Sequence, residues 1–181
     1  MIEIFDNEIP MSIRQNAYTF ICNSKYNITG WQDRHDLELS NKFDLHSPWS
    51  KEDLKNSGLE PFVNKILKKS KHYNNYTIDD FLQCTINAVR PGDYFYTHTH
   101  DPGRVSFLYY CNMHWDNSWA GETIIYNEDL KDIKLCSPYT PGRVLLFEEE
   151  PHTIRSQSFN GPQWRFTMAL FLQKKETNGQ S

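Results

Sequence analysis

The stretch "YFYTHTHDPGR" at residues 94–104 sets His98 and His100 two positions apart, with Asp101 directly behind them and a Pro-Gly turn signal next. Neutral imidazole is the commonest side-chain metal ligand. In an extended chain, residues i and i+2 project to the same face, so one ion is within reach of both rings. Thr97, Thr99 and Asp101 then face the other way, and Pro102 biases Asp101 toward extended backbone. The geometry prefers His98 and His100 as the pair. Asp101 takes the place of His100 only if the strand bulges just before the turn. A third ligand has to come from elsewhere. His152, in "FEEEPHTI", directly follows the strand-like "GRVLLF", so a rigid element can aim it. His72 closes a basic helix end, where a surface position beside the helix dipole is expected. His35, His46 and His114 lie in polar stretches and are expected to be ordinary.

A second chemical group stands in "RFTMALFLQ" at residues 165–173, which sorts its side chains by parity. Phe166, Met168, Leu170 and Leu172 share one face, suited to packing against helices. Arg165, Thr167, Ala169 and Phe171 share the other. A guanidinium facing a sheet interior needs an anionic partner, because an unpaired buried charge is costly. A bidentate carboxylate ligand is one such partner. The alternative is that Arg165, first in its strand, reaches water. The acidic run Glu148, Glu149 and Glu150 before His152 reads as a solvated loop, and Trp115 and Trp119 as packing residues beside a loop.

The elements that must position these groups change character along the chain. "PMSIRQNAYTFICN" (10–23) and "LEPFVNKILKKSKHY" (59–73) have helical spacing, the second with Phe62, Ile66 and Leu67 on one face and Val63 flanking it. "SKEDLKNSG" (50–58) opens with a capping-box pattern. The stretch between the first helix and residue 50 has no sustained period and reads as loop; the 24–60 segment is placed to cover a site and to set substrate choice. After residue 80 the chain becomes strand-rich: 82–100, 105–110, 121–126, 142–147 and 165–173, each bounded by turn residues. Helices first and strands after them predict an α+β, mainly β fold: a double-layer antiparallel sheet braced by N-terminal helices. The 181 residues suit one domain, with helical support over 1–80, a strand core over 81–173 and a frayed tail over 174–181. A net charge of −4 with mixed signs gives no nucleic-acid footprint. The acidic start "MIEIFDNEIP" has no secretion signal, and no stretch is long and apolar enough for a membrane span. Cys22, Cys84, Cys111 and Cys136 form no CxxC pair, which points to reduced thiols in a cytoplasm, at least two of them small buried apolar groups.

Taken in order, "YFYTHTHDPGRVSFLYYCNMHWDNSWAGETIIY", "PYTPGRVLLFEEEPHTI" and "WRFTMALFL" resemble the 2-oxoglutarate/Fe(II)-dependent oxygenases, in particular the prolyl 4-hydroxylase-like branch. The resemblance spans roughly residues 80–173, with an echo in the first helix and "GWQD". It implies a double-stranded β-helix, or jelly roll. It also implies His98 at the first position of the HxD/E iron motif, His152 at the distal histidine and Arg165 on the distal carboxylate of 2-oxoglutarate. Tyr110 would add a hydrogen bond to that carboxylate. "AGET" (120–123) resembles the family's "GGET" strand start, which needs no chemical role. His100 departs from the pattern, since a carboxylate is usual there. Either His98, His100 and His152 hold the iron, or Asp101 replaces His100. The implied activity is hydroxylation of a C–H bond, of a prolyl or other residue in a peptide or protein. Fe(II), 2-oxoglutarate and dioxygen would serve it, with ascorbate as an accessory reductant. The prime substrate and the oligomeric state stay open.

Two rival readings use the same residues. Three histidines also build zinc sites that hydrolyse or hydrate with a bound water as nucleophile. Such a site has no use for an inward Arg165. The other rival is a jelly-roll binding module without catalysis, since a fold does not fix a function.

Overall fold

The alternation over residues 82–89 and 165–173 becomes two long antiparallel strands at the middle of a seven-stranded sheet. The structure is a computed structural model, described for residues 1–30, 43–93, 95–161 and 164–174. In chain order the described residues form β1 (Glu3–Phe5), α1 (Met11–Cys22), β2 (Asn27–Gly30), β3 (Phe43–Trp49), α2 (Lys51–Asn56), α3 (Glu60–Lys69), β4 (Phe81–Val89), β5 (Arg104–Tyr110), β6 (Thr123–Tyr126), β7 (Ile133–Ser137), β8 (Val144–Glu148), β9 (His152–Ile154) and β10 (Arg165–Gln173). The large sheet runs β1-β8-β5-β10-β4-β3-β2 and the small one β7-β6-β9, with antiparallel pairings throughout. This is the expected α+β, mainly β jelly roll with helices against one sheet.

Parity divides the large sheet into a structural and a chemical face. Met168, Leu170 and Leu172 of β10, Cys84 and Ile86 of β4, and Val105, Phe107 and Tyr109 of β5 share one core with Ala17 and Ile21 of α1 and Val63, Ile66 and Leu67 of α3. Each fully buried large aliphatic side chain there contributes on the order of 2 kcal/mol. The intervening residues face the small sheet, where Tyr110, Trp115, Ile125, Tyr139, Leu145 and Phe147 form a second core. Ser50 caps α2 through the reciprocal pair with Asp53 that the sequence predicts. Cys84 and Cys111 are buried, Cys22 and Cys136 exposed, and all four are free thiols.

Several expectations need correction. The first 80 residues are not helical support alone, because β1, β2 and β3 supply three strands of the large sheet. β3 was hidden by Pro48, a residue that interrupts a strand pattern, and β1 is too short to show a period. On α3 the buried position is Val63, while Phe62 is only partly covered; the helix ends at Lys69 rather than 73. Residues 95–100 form no continuous strand and pair only through an isolated bridge, His98 to His152. Lys174 is not frayed: its Nζ pairs with Asp80 Oδ2 at 2.7 Å. The rest of the expected tail, 175–181, lies outside the described residues, as does the part of the expected covering loop over 31–42, His35 included. Among the described residues no helix is long and apolar enough to cross a membrane.

Candidate metal centre

The bridge that replaces the expected strand is what brings two of the histidines together. His98 N donates to His152 O at 3.0 Å and His152 N to His98 O at 2.9 Å. Such a mutually bonded pair directs both side chains to one face. The ring centroids lie 4.4 Å apart for His98 and His152, 5.2 Å for His98 and His100, and 4.8 Å for His100 and His152. One ring nitrogen from each falls within 4.8 Å of the other two. The second nitrogen of each ring is occupied. His98 Nδ1 donates to Tyr96 O at 2.9 Å, His152 Nδ1 donates to Glu150 O at 2.7 Å, and His100 Nδ1 meets Ser106 Oγ at 2.9 Å. A carbonyl only accepts, so the first two bonds fix the Nδ1–H tautomer and leave the Nε2 lone pair to the cluster. Burial, and then repulsion from His98, lowers the His100 pKa to about 4 and that of His152 to about 3; burial also lowers His98. All three rings are neutral at pH 7, the form that ligates.

The remaining candidates sort as follows. The Asp101 carboxylate turns away, bonded to Arg104 Nη2 at 2.6 Å and 69% exposed. It takes no place in the cluster. Thr97 and Thr99 are exposed, as are His72 and His114. His46 is not ordinary, since it sits on β3 and lines the same cavity as the three histidines.

That cavity, of about 320 Å³, lies between the two sheets. Thr167, Ala169 and Phe171 of β10 line it, with Thr85 and Asn87 of β4 beside them and Thr123 of β6 opposite. Arg165 is 0% exposed behind it. Its Nε donates to Gly121 O at 2.9 Å, Nη1 to Thr167 Oγ1 at 2.6 Å and Nη2 to Thr123 Oγ1 at 3.3 Å. The guanidinium carbon sits 4.7 Å from the Tyr139 ring and 5.4 Å from the Tyr110 ring. Burial lowers the Arg165 pKa, though a guanidinium stays charged. Among the described residues no carboxylate pairs with it; neighbouring Glu122 is bonded to Arg155 at 3.3 Å. The alternative in which Arg165 reaches water is thereby excluded.

Tyr110 is one layer further back than expected. Its hydroxyl donates to Thr123 Oγ1 at 2.7 Å, with Ser137 Oγ at 3.3 Å, and its ring stacks on Tyr139 at 4.6 Å. The "AGET" strand start touches Arg165: Gly121 O and Thr123 Oγ1 both accept from its guanidinium. Ala120 and Gly121 both take positive φ, +59° and +84°. Trp115 is buried, donates from Nε1 to Ala120 O at 2.9 Å and packs on Trp119 at 5.5 Å. Glu150 is not solvated but 7% exposed.

No family model matches the sequence, and no curated protein matches it. Solved structures do. A prolyl hydroxylase from Trichoplax adhaerens, in complex with a peptide fragment of the hypoxia inducible factor oxygen degradation domain, aligns over 95% of this chain and 83% of its own, with 18% identity and a TM-score of 0.72. A prolyl-4-hydroxylase from Pseudomonas putida aligns over 96% and 92%, with 12% identity and a TM-score of 0.64. A 2OG-Fe(II) oxygenase family oxidoreductase from Burkholderia pseudomallei aligns over 95% and 84%, with 10% identity and a TM-score of 0.70. What the chain shares with all three is the fold. The likeness drawn from the order of motifs therefore holds at the level of architecture.

The residues that sequence reasoning passed over are the small hydroxyls. Thr167 shared the Arg165 face, whereas Ser106 stood inside a strand run whose two faces were not told apart. Thr123 and Gly121 were visible as part of "AGET" but carried no signal of contact with Arg165.

Proposed function

We propose that the chain is an Fe(II)- and 2-oxoglutarate-dependent dioxygenase that hydroxylates a C–H bond, with a prolyl or other residue of a peptide or protein as substrate. The observation that carries this reading is a pair of features across one cavity. Three convergent imidazoles lie on one side, and a fully buried guanidinium with no acid partner among the described residues lies behind the other. A zinc hydrolase accounts for the first feature and not for the second. The Trichoplax neighbour, solved with a peptide, supports a polypeptide substrate.

The residues fit the groups they would hold. His98, His100 and His152 offer three neutral nitrogens with their outer nitrogens already bonded, the arrangement that sets ligand orientation in metal sites. Arg165, with the Thr123 and Thr167 hydroxyls in front of it, offers charged and neutral donors to a carboxylate. Bound iron with 2-oxoglutarate and dioxygen supplies the oxidising chemistry, releasing succinate and CO2. The chain's part is to bind, orient and exclude water. Gly121 O and Tyr139 hold Arg165 in place, and Phe171 and Phe147 pack around His100 with ring centroids at 4.6 and 6.5 Å. Tyr110 fixes the Thr123 hydroxyl.

Anaerobic loading with Fe(II), 2-oxoglutarate addition and exposure to oxygen test the reading. Succinate should form in proportion to bound iron even before a prime substrate is found. Preferential zinc binding without succinate would move the chain to the hydrolytic class, and neither metal nor succinate would leave a binding module.

A further inference from the structure

The acidic run ahead of His152 has no part in the cavity, yet it is built into the fold. Glu149 holds φ at +53°, a conformation costly for a residue with a side chain. Its Oε1 accepts from Gly103 N at 3.0 Å, in the turn that follows His100. Glu150 is 7% exposed, and both its oxygens accept from Lys134 Nζ on β7, at 2.7 and 2.8 Å. Its main-chain carbonyl accepts from His152 Nδ1 at 2.7 Å. The next carbonyl, of Pro151, accepts from Tyr126 N at 2.8 Å on β6.

The geometry points to Glu149 and Glu150 as positioning residues of the metal centre: the Lys134 clasp on Glu150 aims the carbonyl that orients His152, and Glu149 ties the His152 segment to the His100 turn. The metal role of these histidines rests on the proposed function. A buried carboxylate is retained only when paired, and a solvated loop would have left Glu150 in water. The pairing holds residue 150 from the small sheet, while Pro151 is held from β6. Between them the carbonyl direction is set, and with it the Nδ1–H tautomer that keeps Nε2 available. The Glu149 contact joins the two ligand-bearing turns without touching any imidazole.

The test uses the full chain and the variants Glu150→Gln, Lys134→Met, Lys134→Arg and Glu149→Gly. Three quantities are measured: Co(II) affinity by calorimetry, the His152 tautomer by ¹⁵N chemical shifts in the metal-free protein, and the thermal midpoint. Glu150→Gln and Lys134→Met should each weaken Co(II) binding about tenfold, at the lower end of the effect of outer partners on metal affinity. Both should shift His152 from one tautomer to a mixture, and Lys134→Arg should restore wild-type values. Glu149→Gly relieves the positive φ, so its thermal midpoint should hold while Co(II) affinity falls. A merely structural role would lower thermal midpoints and leave affinity and tautomer of the folded protein unchanged, which would overturn the assignment. Should the wild-type chain bind no Co(II), the ligand reading fails. The tautomer shift then decides the positioning role alone, and an unchanged tautomer refutes it.

Discussion

Arg165→Met separates the two ends of the cavity. The guanidinium is 0% exposed and donates to one carbonyl and two hydroxyls, with no carboxylate among the described residues. If it grips the far carboxylate of 2-oxoglutarate through two N–H groups, each charge-assisted bond is worth about 1.5–3 kcal/mol. Losing both costs roughly 3–6 kcal/mol, or about two to four powers of ten in affinity at 1.4 kcal/mol per decade. The metal-free protein should respond quite differently. Methionine removes a desolvated charge as well as its hydrogen bonds, and these losses are of opposite sign, so the thermal midpoint should stay near that of the wild type. Metal content should also hold, because the outer nitrogens of the three imidazoles are held by Tyr96 O, Ser106 Oγ and Glu150 O. The assay is anaerobic titration of 2-oxoglutarate into Co(II)-loaded protein, with metal analysis and thermal unfolding alongside. Affinity for 2-oxoglutarate within threefold of the wild type would refute the assignment. So would loss of metal together with the cosubstrate, since Arg165 would then be a structural residue.

Three further outcomes follow from the same geometry. Asp101→Asn should leave metal content unchanged by elemental analysis, because that carboxylate is 69% exposed and bonded to Arg104; loss of metal would restore Asp101 as a ligand. Metal-free stability should depend on acid. Burial depresses His100 to about 4 and His152 to about 3, so as pH falls through the ordinary histidine range near 6.5 the unfolded chain takes up protons that the folded chain refuses. The contribution is complete above that range and is lost as pH falls toward 4 and then 3, at up to about 2.7 kcal/mol per pH unit for the two groups. Urea unfolding at pH 7 and 5.5 reads it, and a His100→Ala, His152→Ala double variant with the same slope would contradict it. Gly121→Ala should lower the thermal midpoint and weaken 2-oxoglutarate binding together. A Cβ there would lie 3.2 Å from Trp115 Cζ2 and 3.3 Å from Arg165 Cδ at a φ of +84°, a strain of about 1–3 kcal/mol. A variant with wild-type cosubstrate affinity would show that Gly121 does not place Arg165.

The candidate site was more legible than parts of the frame around it. His98 and His100 declare themselves through i, i+2 spacing, and Arg165 through the parity of β10, because both rest on a local period. His152 needed only a strand ahead of it. What hid was non-local. β1 and β3 owe their place to partners about 140 and about 40 positions away, Leu146 and Thr85 among them, and their own residues carry no sustained alternation. The strand expected through His98 and His100 proved to be a single bridge, yet the same side chains converge, since a mutually bonded pair orients them as a longer ladder would. Tyr110 and Glu150 both lie deeper than their spacing suggests, for a common reason: depth of burial is set by what packs on top, and no spacing rule reports it.

β10 also bears on how such a chain tolerates change. Its odd-numbered positions Thr167, Ala169 and Phe171 line the chamber, with Arg165 behind them, and Met168, Leu170 and Leu172 belong to the layer under the helices. Exchanges at the first set reshape the chamber wall, and exchanges at the second repack the layer under the helices. Insertion or deletion of one residue would interchange the two sets at a stroke. The strand's length, more than any single side chain on it, is therefore the property that cannot be altered piecemeal.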